Sequence, residues 1–176
     1  LVQGQVLKLS SSNGVIQATF NTIRNGCSGN GVWGSPSLGP SSTTLYVTTG
    51  NPGSCSNPGP YGEAVVALNA SSLGVASSWA VPNNQRTGDS DFGATPTLFD
   101  VGNQHYLGAA NKNGQYYMFN RDNLAAGPIW QRTIASKADC PQCGGGSIAP
   151  SAWDNARLYV AGGNTTINGT ACKGGV

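Results

Sequence analysis

The chain is 176 residues long, 38% apolar and only 9% charged, with 26 glycines and 10 prolines. Nine Lys and Arg against seven Asp and Glu leave a formal charge of +2, with no basic stripe or acidic run, which argues against nucleic acid or an anionic membrane as partner. No apolar stretch approaches the roughly 20 residues that a membrane-spanning helix needs.

The abundant Gly, Ser, Thr and Asn suit many short strands joined by tight turns. In chain order, Gly4-Gln-Val-Leu-Lys-Leu9 with Gly14 and Phe20 reads as the tail of a repeat. A first full unit follows: Trp33-Gly-Ser-Pro-Ser37, then Leu45-Tyr-Val-Thr-Thr-Gly-Asn51, then Gly62-Glu-Ala-Val-Val-Ala-Leu68 running on to Trp79. The second repeats the order with Phe92-Gly-Ala-Thr-Pro-Thr97, Tyr106-Leu-Gly-Ala-Ala-Asn111 and Gly114-Gln-Tyr-Tyr-Met-Phe119 leading to Trp130. The third has Gly146-Ser-Ile-Ala-Pro-Ser-Ala152 and Leu158-Tyr-Val-Ala-Gly-Gly-Asn164, and reaches Gly174 where its next strand is expected.

From Gly4 to Gly62 to Gly114 to Gly174 the period is about 50 to 60 residues, with no helical periodicity, and each unit reads as four short strands. The expected fold is all-β: a partial β-propeller, with about three four-stranded antiparallel blades of a larger ring of roughly seven or eight. As one propeller domain it divides into a blade tail at 1–26, blades at 27–84 and 85–136, and an incomplete blade at 137–176. Unpaired blade edges are adhesive, so the remaining blades of a longer parent chain are expected partners. Leu1-Val2-Gln3-Gly4 lacks the zones of a signal peptide, as a mid-chain or processed start would.

Cys27, Cys55, Cys140, Cys143 and Cys172 sit in polar loops, which favours disulfides and an oxidising compartment, periplasmic or extracellular. Cys140-Pro-Gln-Cys143 has a spacing seen in zinc and redox sites. It has no second Cys-x-x-Cys, and His105 is remote. Gly144 stands where a covalent haem motif needs His.

Trp33, Thr49-Gly-Asn51-Pro52, Asp89-Ser-Asp91-Phe92-Gly93 and Lys112-Asn113-Gly114 occur in an order and at separations that resemble successive signature segments of quinoprotein alcohol dehydrogenases. These enzymes depend on pyrroloquinoline quinone (PQQ), and the polyvinyl-alcohol dehydrogenase-like branch is the most similar. The resemblance covers nearly the whole chain and implies a periplasmic or extracellular oxidoreductase. Such an enzyme passes a hydride from an alcohol to PQQ with the help of Ca2+, and electrons onward to a cytochrome c or other acceptor.

Residue by residue, the resemblance implies that Trp33 is the floor on which the planar quinone stacks, a task suited to a rigid apolar face. A packing role between blades is the plainer meaning of a tryptophan, and the one expected for Trp79 and Trp130. Asn51 matches an amide ligand of calcium, and is equally a turn former before Pro52. Asp91 matches the carboxylate that touches calcium and removes the alcohol proton. Asp89 is then structural or orienting. Lys112 and the adjoining Asn113 match the quinone-contacting segment, with the Lys112 cation stabilising charge that develops on reduction; alone, it is an ordinary hairpin-turn lysine.

The resemblance also places Cys140-Pro141 and Cys172 near a structural disulfide of later blades, with Cys143 leaving open which of the first two pairs with Cys172. Cys27 is expected to pair with Cys55. Asn69-Ala-Ser71, Asn164-Thr-Thr166 and Asn168-Gly-Thr170 are formal glycosylation triplets whose plainer meaning is turn chemistry. An acidic calcium ligand from the preceding blade is expected before Leu1, and later cofactor contacts after Val176. Gly144-Gly-Gly-Ser147 stands where the family often has Asn. A propeller with the same repeats and no cofactor, serving as a binding scaffold, is the alternative from another class.

Overall fold

The computed structural model describes residues 2–140 and 145–174. Fourteen strands account for nearly all of its regular structure, with two short 3-10 segments, Asn83–Gln85 and Arg121–Ala126. β1 (Gln5–Leu9) and β2 (Ile16–Asn21) form a hairpin. β3 (Ser37–Leu38), β4 (Thr44–Thr48), β5 (Ala64–Asn69) and β6 (Val75–Ala80) form a four-stranded antiparallel meander. β7 (Thr97–Val101), β8 (Gln104–Ala110), β9 (Gln115–Asn120) and β10 (Pro128–Thr133) form a second one. β11 (Ala152–Trp153) pairs with β12 (Leu158–Tyr159), and β13 (Thr165–Ile167) pairs with β14 (Thr170–Cys172), a hairpin without counterpart in the repeat.

The sheets stack face to face, because alternate residues of one strand point to opposite faces and both faces are apolar. On β5, Val66 and Leu68 pack with Val6 and Phe20 of the first hairpin. The intervening Val65 and Ala67 join Leu107, Ala109, Tyr117 and Phe119 of the second meander. On β9, Tyr116 and Met118 turn the other way, to Trp153 and Leu158 around β11 and β12. Each fully buried Val, Leu or Phe contributes about 1.5–3 kcal/mol, so the blade-to-blade faces dominate stability. Trp79 lies 5.2 Å from both Tyr117 and Phe119, a packing tryptophan as expected. Trp130 lies 6.0 Å from Tyr116, at an apolar slot of about 290 Å3 between the second meander and β11–β12.

The repeat register differs from the sequence alignment by one residue. Thr22 donates to the Gly4 carbonyl, Ile134 to that of Gly114, and Val81 to that of Glu63. The neighbouring pairs Gln5–Asn21, Gln115–Thr133 and Ala64–Ala80 agree. Glu63, not Gly62, therefore occupies the glycine place of the repeat. Its backbone has φ of +52°, in the left-handed region where Gly114 has +86°.

Cys27 is bonded to Cys55 across 28 residues, a closure that contributes roughly 3–4 kcal/mol on loop-entropy grounds. Cys140 is also disulfide-bonded, but Cys172 is a free thiol. This corrects the expected partnership of Cys172: it closes the β13–β14 hairpin, and its Sγ lies 3.5 Å from the Thr170 carbonyl. Cys143 lies outside the described residues, as do Pro141 and Gly144. Asn69 caps a turn, its Oδ1 accepting from the Ser71 and Ser72 amides at 2.9 and 3.1 Å.

Candidate functional site

Three connections reach the same end of the two meanders: the turn after β4, the loop before β7 and the β8–β9 turn. The β8–β9 turn is built by its asparagines. Asn111 Oδ1 accepts the Asn113 amide at 2.8 Å, its Nδ2 donates to the Ser90 carbonyl at 2.7 Å, and Gly114 supplies the left-handed residue. Lys112 sits at the apex, with its N–H on the Asp91 carbonyl at 3.0 Å.

The Lys112 side chain is 9% exposed and its Nζ donates to Asp91 Oδ2 at 2.6 Å and to Asp89 Oδ2 at 2.8 Å. Asp91 is 1% exposed, and its Oδ1 accepts the Asn51 backbone N–H at 2.7 Å. Each oxygen of this carboxylate thus accepts from a donor of another element, which is how a buried charge is tolerated. The triad carries two carboxylates and one ammonium. Desolvation raises the pKa of Asp89, opposed by its hydrogen bond to Lys112 and assisted by the nearby Asp91. Burial works against the Lys112 cation, but its hydrogen bonds to the two aspartates prevail and its pKa is raised. Lys112 is therefore a firmly held cation.

Trp33 is 66% exposed. Lys112 Nζ lies 5.4 Å from the centre of its ring. Two glycines make room for the indole: a Cβ on Gly31 or Gly50 would lie 3.1 or 3.0 Å from its Nε1. A large planar apolar surface thus lies open to solvent beside a buried ion pair, a combination suited to a flat, oxygen-bearing ligand.

Trp33, Asn51, Asp91 and Lys112, named from the sequence, are thus brought together. Asn113 is spent within the protein: its Nδ2 donates to Tyr117 OH at 2.6 Å and to the Gln85 carbonyl at 3.1 Å, and its Oδ1 accepts from the Gln115 amide. Asp89, read as structural or orienting, shares Lys112 with Asp91. The sequence reading missed Glu63, 3% exposed, whose carboxylate lies 2.9 Å from Arg86 Nη1. Burial pushes its pKa up, countered by Arg86 and by the Ser90 backbone N–H. A glutamate leading into the apolar run Ala64–Leu68, in a chain so poor in charge, was the available signal.

No protein-family model matches the sequence, and no curated protein is similar to it. Solved structures do match. A quinohemoprotein alcohol dehydrogenase from Pseudomonas putida is 18% identical with a TM-score of 0.57, over 76% of this chain and 25% of that one. BamB from Moraxella catarrhalis is 16% identical with a TM-score of 0.59, over 91% of this chain and 41% of that one. A europium-containing methanol dehydrogenase is 18% identical with a TM-score of 0.59, over 83% and 34%. With the stacked four-stranded sheets, these likenesses define the class: the chain is all-β and forms part of a β-propeller. It spans between a quarter and two fifths of the length of the structures it matches. Among the described residues, no helix is long and apolar enough to cross a membrane.

Proposed function

We propose that the cluster at Trp33, Asn51, Asp91 and Lys112 is part of an alcohol-oxidising site for PQQ and Ca2+ in a periplasmic or extracellular quinoprotein. The observation that carries this reading is the Asp91–Lys112 pair, 2.6 Å apart, beside the open face of Trp33. The residues suit the group: an exposed indole for a flat ring system, a buried cation for its oxygens, and Asn51 and Asp91 as oxygen donors on adjoining turns. Calcium takes roughly 6–8 oxygens, so this chain would supply only part of the shell.

When bound, the quinone supplies the hydride acceptor. Trp33 would hold it, offering the exposed apolar face of its indole to the ring system. Lys112 Nζ, held in place by Asp89 and Asp91, would supply a preorganised cation to stabilise negative charge on the group's oxygens. The Asp91 carboxylate would be the acceptor for the proton of the alcohol hydroxyl, oriented by Asn51 N–H on Oδ1 and by Lys112 Nζ on Oδ2. The apolar slot beside Trp130 supports a further strand or blade of a longer chain as its cover.

The test is to reconstitute the protein with PQQ and Ca2+, remove excess by gel filtration, acid-denature it and quantify released quinone. Near-stoichiometric release together with alcohol-dependent dye reduction is expected. Absence of any retained quinone would overturn the reading. The second reading, a cofactor-free scaffold, is favoured by one observation: Asp89, Asp91 and Lys112 satisfy one another without a ligand. That same negative result would support it.

A further inference from the structure

Glu63 stands where the flanking repeats have Gly4 and Gly114, with left-handed φ of +52° and 3% exposure. The choice is unfavourable twice, because a side chain crowds this backbone region and a carboxylate leaves water. The fold does not require it: Gly4 and Gly114 present the same carbonyl to the same strand position. What glutamate adds is a set of contacts to the site. Its carboxylate takes Arg86 Nη1 at 2.9 Å, at the start of segment 86–91, and the Ser90 N–H near the end of that segment helps hold its charge. Its backbone N–H donates to the Gly50 carbonyl at 2.8 Å, next to Asn51. Arg86 is itself tied down, its Nε donating to the Val81 carbonyl at 2.8 Å.

We propose that Glu63, through Arg86 and Ser90, is a positioning residue that fixes the Asp89–Asp91 loop against Lys112 and Asn51. This rests on the alcohol-oxidation reading for its catalytic consequence, though not for the geometry. Strain kept at a residue whose side chain reaches toward the site loop is where function is to be sought.

The test compares Glu63→Gly, Glu63→Gln and Arg86→Met with the unmodified full chain. In the cofactor-free protein, amide exchange at Ser90–Phe92 and acylation of Lys112 by acetic anhydride are followed by mass spectrometry, beside the melting temperature. With PQQ and Ca2+, kcat and KM for ethanol are measured. Glu63→Gly adopts the backbone of Gly114, so it is expected to melt no lower than the parent. Loop exchange and Lys112 acylation are expected to rise about tenfold, and kcat to fall by about 10- to 100-fold with KM little changed. Glu63→Gln, which keeps an acceptor oxygen for Arg86, is expected to restore most of both, and Arg86→Met to resemble Glu63→Gly. Unchanged exchange and acylation, or faster exchange throughout the chain with a lower melting temperature, would overturn the proposal. Faster loop exchange in a protein that never oxidises ethanol, even unmodified, would leave the positioning role standing and sink the alcohol-oxidation reading instead.

Discussion

The backbone N–H of Asn51 points at Asp91 Oδ1, 2.7 Å away, across 40 residues of chain. This contact joins a turn of one blade to the loop that opens the next, and it fixes which oxygen of Asp91 faces Lys112. With Oδ1 held, Oδ2 faces Lys112 Nζ at 2.6 Å, and an incoming hydroxyl would meet that oxygen and that cation together.

Asp91→Asn keeps the shape and the bond from Asn51, but replaces a proton acceptor by a group that cannot act as a base. Turnover of the PQQ-reconstituted protein is expected to fall by about 10²- to 10⁴-fold, the usual worth of a positioned base, with quinone retention little changed. Steady-state dye reduction and released quinone check the two halves separately. Unimpaired turnover would remove Asp91 from the role.

Lys112→Met leaves Asp91, 1% exposed, without its counter-charge. Stranding a buried carboxylate costs about 3 kcal/mol; Asp89, with a side chain 32% exposed, adds little because water screens it. A fall in the urea midpoint with an unchanged slope is expected, and Lys112→Met combined with Asp91→Asn should recover part of the loss. If the single variant unfolds at the parent's midpoint, the ion pair is energetically idle.

The blades are legible in the sequence because a central strand of each meander is apolar on both faces. Val65 and Val66 both need neighbours, which makes Ala64–Leu68 a continuous apolar run recurring at blade spacing. Trp33, Asn51, Asp91 and Lys112 are legible because each falls beside a strand end that the repeat locates. What is not legible arises from stacking. That Lys112 bridges two carboxylates, and that Glu63 reaches Arg86 and Ser90, depends on residues 21 to 27 positions apart meeting through loops within and between blades, which no local pattern encodes. The one-residue displacement of Glu63 from Gly62 is hidden for the same reason. Only strand pairing reveals it. Cys172 misleads because spacing says nothing of the hairpin that carries it away from a partner.

Two tryptophans offer a contrast. Trp33 is 66% exposed and touches Lys112 only through its ring face, so Trp33→Ala is expected to change stability by at most about 1 kcal/mol while weakening PQQ retention severely. Trp79, packed on Tyr117 and Phe119, is expected to cost about 3 kcal/mol when cut to alanine. Urea unfolding and quinone titration read the pair. Equal destabilisation by both would make Trp33 a packing residue after all.

Tyr116 provides a test in alkaline solution. Its ring is 1% exposed, its hydroxyl lies 2.6 Å from Ser151 Oγ, and burial pushes its pKa up from 10.0 to about 12. The raised value means that the unfolded chain loses this proton first. Between about pH 10 and pH 12 the native state therefore binds more protons, and stability falls as pH rises through that window, having been fully present below it. At about 1.4 kcal/mol per unit, the loss attributable to Tyr116 is at most about 3 kcal/mol. Tyr46, Tyr117 and Lys112, all shifted upward, act in the same direction, so Tyr116→Phe should flatten the decline without abolishing it. Urea midpoints on either side of the window measure the difference. A decline of equal steepness in both proteins would mean that Tyr116 ionises as freely folded as unfolded, and that the face it presents to β11 and β12 admits water.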